Sequence, residues 1–170
     1  MQGIDSHLSR IEGALISDCG RYRYWLSRQS ETLFVERGAA LFIMLNPSTA
    51  DHKKDDATIR RCRSFAKVWG CDGIIVANLY AYRSTDPKGL WKCEDPVGPN
   101  NDYWLEYLVA RHKTIICAWG NNAEEIRVQA LIEIAKKQKA DLLCLGTTSE
   151  GAPRHPLYVK SNQAAIKWSL

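Results

Sequence analysis

From Ala39 onward the apolar residues of the chain fall into two alternating rhythms. Ala39–Leu45 is an unbroken apolar run, the mark of a strand buried on both faces. Asn46-Pro47 stops it. Apolar residues then recur at Ile59, Cys62, Phe65, Ala66 and Trp69, the spacing of one helix face. Arg60, Arg63 and Lys67 lie opposite, and Gly70 closes the segment. The same unit returns: Gly73–Ala77, Thr114–Ala118 and Asp141–Leu145 predict three more buried strands. Helices are expected over Asp102–Arg111 and Ala123–Lys137, and a short one over Asn162–Trp168 finishes the chain.

The first 37 residues read differently. Ala14–Ser17 and Tyr22–Leu26 flank the turn-forming Asp18-Cys19-Gly20, and Thr32–Glu36 can add a third strand, so this piece is expected to cover one edge of the main sheet. Strands that alternate with helices pair in parallel through right-handed crossovers. The expected architecture is an α/β three-layer sandwich around a four-stranded parallel sheet, with antiparallel strands at its N-terminal edge. The 170 residues suit one domain, divided into the edge piece 1–37 and the α/β core 38–170.

Composition narrows the setting. No apolar run approaches the roughly 20 residues of a membrane span, and Met1–Arg10 has no signal-peptide pattern, so a soluble cytoplasmic protein is expected, with a monomer favoured. None of the six cysteines forms a C-x-x-C pair and no Cys/His group has zinc spacing, so no metal or other cofactor is expected. Cys62, Cys117 and Cys144 lie in apolar stretches and read as buried thiols. The net charge of +4 is compatible with a polyanionic partner without requiring one.

In parallel sheets ligands bind outside the carboxyl ends of the strands. Asn46, Asn78 and Trp119 directly follow expected strands, and His155 lies in the loop after the fourth. Asn46-Pro47 is either a simple strand stop or a stiffened amide that orients a water or substrate group. Asn78 offers a donor and an acceptor together, which suits a nucleobase edge. Tyr80 and Tyr82 either stack on a base or fill the core, and Arg83 can pair with a phosphate. His155, pinned by Pro153 and Pro156, is either structural or catalytic. Asp51–Asp56, interrupted by lysines, reads as a solvated loop. No Gly-x-Ser-x-Gly elbow and no Gly-rich phosphate loop is present.

Four segments, Phe42–Asp51, Asp95–Asp102, Ala118–Gly120 and His155–Tyr158, resemble an uncharacterised bacterial and phage family known only as domain of unknown function 1643. More distantly, Asn46-Pro47, Asn78, Trp119-Gly120 and His155-Pro156 are similar, in that order, to the motifs of the uracil-DNA glycosylase superfamily. Ser48 departs from the glycine or tyrosine usual there, and Leu157 from the usual serine after His-Pro. The resemblance implies cleavage of the N-glycosidic bond of a flipped base, natural or modified, in DNA. It implies Asn46 and His155 as catalytic residues and Asn78, Tyr80, Tyr82 and Trp119 as base contacts. Ser48, Thr49, Arg83, Arg154 and Leu157 are then the phosphate and strand contacts, Leu157 serving as a wedge. Two other classes stay open: a nucleic-acid or nucleotide-binding module without catalysis, and an enzyme acting on free nucleotides.

Overall fold

The computed structural model describes residues 12–30, 37–48, 50 and 54–170. Among them, seven strands form one mixed sheet: β1 (Gly13–Ile16), β2 (Arg23–Gln29), β3 (Ala40–Met44), β4 (Gly73–Asn78), β5 (Thr114–Cys117), β6 (Asp141–Cys144) and β7 (Ile166–Lys167). Their order across the sheet is β1-β2-β4-β3-β5-β6-β7. β3 runs parallel to both β4 and β5, and β5 parallel to β6. The pairs β1·β2, β2·β4 and β6·β7 are antiparallel.

Alternation of side chains sorts the core into two layers. Leu41, Ile43, Ile75, Ala77, Ile115 and Cys117 face α3 (Asn101–Val109) and α4 (Glu125–Gln138). Phe42, Met44, Ile74, Val76 and Ile116 face α1 (Ala57–Val68), which contributes Ile59, Cys62, Phe65 and Ala66. The central strands are therefore apolar on both sides, which is why their sequences are unbroken runs. A one-turn helix, α2 (Pro87–Leu90), lies in the loop after β4.

The β1–β2 hairpin turns at Asp18-Cys19-Gly20 as the sequence predicts, and β2 lies along β4. That approach is close. A Cβ on Gly73, the first residue of β4, would sit 2.1 Å from the Arg28 carbonyl oxygen, so only glycine fits there. The possible strand at Thr32–Glu36 lies outside the described residues. The expected terminal helix over Asn162–Trp168 is not formed. Seven residues are too few to nucleate a stable helix, and Ile166–Lys167 instead adds antiparallel strand β7 to the exposed edge of β6.

Candidate functional site at the carboxyl edge of the sheet

Parallel pairing brings the strand ends to one level: Met44 lies opposite Asn78, Ile43 opposite Cys117, and Cys117 opposite Cys144. The loops that leave this edge enclose a cleft of about 600 Å³, within the usual range for small-ligand sites. β2 is antiparallel to β4, so its first residue, Arg23, reaches the same edge. Met44, Val76 and Ile59 line the cleft from the α1 side of the sheet. Asn78, two residues beyond Val76, projects on that side too.

Asn46 and Asn78 both line the cleft, but their amides are held differently. Asn46 Nδ2 donates to the carbonyls of Pro47 (3.1 Å) and Ser84 (2.9 Å). Two carbonyl neighbours fix the nitrogen on that side. The acceptor Oδ1 is left without a hydrogen bond from any described residue. Asn78 is only 1% exposed, and its buried Oδ1 accepts no hydrogen bond from a described residue. A buried amide oxygen left so costs about 1–3 kcal/mol, which points to a ligand or an ordered water as its partner.

The backbone behind Asn78 is fixed by a second set of polar groups. Fully buried Asn101 donates through Nδ2 to the carbonyls of Asn78 and Leu79, both at 3.0 Å. Buried Arg127 donates from Nη2 and Nε to Leu79 O at 2.9 and 3.2 Å, and pairs with Asp102 at 2.6 Å. The Pro96-Val-Gly-Pro-Asn-Asn101 loop thus carries the start of α3 to the carboxyl end of β4. Gly98 is essential to its path: φ is +86°, and a Cβ would lie 2.8 Å from the Tyr22 ring.

His155 sits just before a 3-10 turn, Pro156–Tyr158, and its Nδ1 accepts the Leu157 amide at 3.3 Å. The proton of the neutral ring is therefore carried on Nε2. Burial lowers the imidazole below its ordinary pKa, and the Asp56 carboxylate opposes that shift. Arg61 of α1 ties the loop down, donating to Pro156 O (3.3 Å) and Val159 O (2.5 Å). Trp119 forms another wall. Trp168 meets it edge-on at 5.1 Å and donates from Nε1 to Gly151 O, joining the chain terminus to the histidine loop.

The cleft thus gathers Asn46, Ser48, Asn78, Trp119, Arg154 and His155. It does not gather all the residues expected there. Tyr80 is fully buried in the α3/α4 layer, with its hydroxyl bonded to Glu124 and its pKa pushed up to about 12, chiefly by burial. Tyr82 lines a neighbouring groove with Arg83. Leu157 is 44% exposed and outside the cleft lining. Thr49 lies outside the described residues.

Asp56 was missed. It lines the cleft, caps α1 by accepting the Ile59 amide at 2.8 Å, and accepts a hydrogen bond from Ser48. An aspartate immediately before the first helical residue is the signal that could have found it. The solvated-loop reading therefore does not extend to Asp56. Arg23 was missed as well: it lies inside a strand pattern, is 2% exposed, and donates from Nη1 to Ala50 O at 2.6 Å.

A larger cavity of about 750 Å³ opens at the opposite edge, around Trp69, Arg37 and Lys113. Among the described residues it has no counterpart of the unsatisfied Asn78 amide oxygen, so the carboxyl edge remains the stronger candidate. All six cysteines are free thiols, with Cys71 buried besides the three expected. Among the described residues, no cluster of three His, Cys, Asp or Glu side chains forms a metal site, and no helix is long and apolar enough to cross a membrane.

No curated protein and no solved structure matches the chain. A family profile does match, over residues 23–157, from the second strand through the histidine loop. The chain belongs to the family described as Protein of unknown function (DUF1643).

Proposed function

We propose that this protein hydrolyses the N-glycosidic bond of a nucleotide whose base enters the carboxyl-edge cleft. The observation that carries this reading is the buried, unsatisfied amide oxygen of Asn78 in the same cleft as Asn46 and His155. An amide held by its own strand offers an acceptor and a donor side by side, which is what the edge of a base requires. Trp119 gives the apolar wall. Also in favour is the order of Asn46-Pro47, Asn78, Trp119-Gly120 and His155-Pro156, similar to that in the uracil-DNA glycosylase superfamily.

The chemistry follows from the groups at hand. The C1′–N bond breaks with its electron pair moving to the base, and the sugar passes through an oxocarbenium-like state. Asn46 Oδ1 accepts a hydrogen bond from a water and holds it in line with C1′. The water oxygen forms the new C1′–O bond, and the proton it loses passes through solvent to the base. A neutral His155 donates from Nε2 to the negative charge that develops on the departing base, a contribution of about 2–4 kcal/mol for donors of this kind. Asp56 places a negative charge in the cleft, which favours the cationic sugar.

The test is a panel of oligonucleotides carrying varied natural and modified bases, read for abasic sites and for the free base. Release of at least one base supports the reading. Binding without release from any member would make the domain a recognition module, and release from mononucleotides alone would make it a nucleotide hydrolase.

A further inference from the structure

Beside the cleft runs a second groove of about 490 Å³, whose lining includes Arg21, Tyr82 and Arg83. Ser48, Ser84 and Thr85 line both spaces, so the two are continuous. Among the described residues, no acidic side chain lines the groove. From this we propose that the groove is a phosphate shelf: it takes the backbone of the nucleic-acid strand next to the nucleotide in the cleft, so the substrate is a polynucleotide and not a free nucleoside. The inference rests on the reading of the cleft as a base pocket and names the substrate class of that site.

Three observations support it. Arg83 donates through Nη1 to Gly20 O at 3.1 Å, which anchors the guanidinium against the β1–β2 turn. Its Nε is buried and has no hydrogen-bond partner among the described residues. With Nη1 held by one carbonyl and Nη2 bonded to no described residue, the guanidinium keeps a donor edge for an anion, whose oxygens its planar fork can match. Arg21 is exposed on the same turn, with its guanidinium 5.6 Å from the centre of the Tyr22 ring. Tyr82 meets that ring edge-on at 6.1 Å and is partly exposed, so it offers an aromatic surface to a neighbouring base.

The backbone around the groove is also stiff. The Arg83 amide donates to Arg21 O at 2.9 Å and the Ser84 amide to Pro47 O at 2.9 Å. These bonds stitch the β1–β2 turn, the Asn46 loop and the loop after β4 into one rim. A phosphate on the shelf would therefore be held in fixed register with Asn46 and the cleft.

The experiment measures binding of fluorescent oligothymidylate and of thymidine monophosphate across a series of KCl concentrations. It compares the wild type with R21Q, R83Q, the double variant, and K136Q on the far helix as a control. The wild type should bind the oligonucleotide well above the monophosphate. Each shelf substitution should reduce the slope of log affinity against log salt by about 0.7, the value for one single-strand phosphate contact, with K136Q unchanged. R83Q could disturb the turn; R21Q removes an exposed side chain and keeps the test interpretable. An unchanged slope in R21Q and the double variant, equal affinity for both probes, or an equal effect of K136Q overturns the shelf. Base release that is untouched by the shelf substitutions at every salt overturns the shelf and leaves the cleft reading standing. A shelf-dependent slope without base release from any oligonucleotide supports the shelf and overturns the hydrolase.

Discussion

Asn101 is the residue whose loss the fold should feel most directly at the site. It is fully buried and spends both amide hydrogens on the carbonyls of Asn78 and Leu79. Asn101→Ala removes two hydrogen bonds worth about 0.5–1.5 kcal/mol each and leaves a small cavity. Leu79 O keeps its bonds from Arg127, so the unsatisfied carbonyl is mainly that of Asn78. The same change removes Asn101's own buried Oδ1, which has no hydrogen-bond partner among the described residues, and this offsets part of the cost; the expected loss is about 1–3 kcal/mol in urea unfolding. Asn101→Asp is the sharper probe, because it keeps the shape and replaces the donor with a charged acceptor facing two carbonyls.

Burial and those carbonyls should raise the new carboxyl above the ordinary 3.9 of aspartate. Between 3.9 and the raised value the folded state binds more protons than the unfolded one. Stability relative to wild type then falls as pH rises, by up to about 1.4 kcal/mol per pH unit. Asn101→Asp should therefore be partly rescued at pH 5 and worst at pH 8. An Asn101→Ala loss below about 0.5 kcal/mol, the scale of a neutral surface change, or a pH-independent Asn101→Asp deficit, would refute the account of how Asn78 is supported.

Three further outcomes are expected. Asp56→Asn keeps the helix cap, since asparagine caps as well as aspartate, but removes the charge; base release should fall about ten-fold or more with little change in melting temperature, and an unchanged rate would remove Asp56 from the chemistry. His155 and His112 are both held below the ordinary histidine value of 6.5, mainly by burial. The unfolded chain thus binds more protons below 6.5, so stability should drop as pH falls from 7.5 to 5.5 and drop less in His155→Gln; urea midpoints check the sign. Cys19 is exposed and lowered to about 7, first by its hydrogen bond with Ser17 and then by Arg21; it should alkylate fastest with iodoacetamide as pH passes 7, ahead of the buried Cys62, Cys71, Cys117 and Cys144, and mass spectrometry of the labelled peptides decides.

The unbroken apolar runs made β3, β4, β5 and β6 legible because both faces of those strands are covered, and that requirement acts residue by residue. The end of the chain was not legible. Ile166 and Lys167 become a strand only because β6 offers an unpaired edge, which is a tertiary fact. At the site, the strand-end residues Asn46, Asn78 and Trp119 and the loop residue His155 could be placed from topology alone, because parallel strands send their carboxyl ends to one side. Tyr80 could not. It follows Asn78 by two positions, but the chain turns at Leu79 and carries the ring into the opposite layer against Trp91. Asp56 was masked by its charged neighbours, and Asn101 by a loop that reads as simple turn chemistry until the path of β4 is known.

The central claim is that the cleft breaks a glycosidic bond with Asn46 and His155. Single-turnover release of the base from the best oligonucleotide of the panel, measured beside equilibrium binding, tests it most directly. Asn46→Ala and His155→Ala should each slow release by about ten-fold or more while affinity changes little, because both groups act on the transition state. A double variant that releases the base as fast as the wild type would contradict the account and place the chemistry, if any, in another part of the molecule.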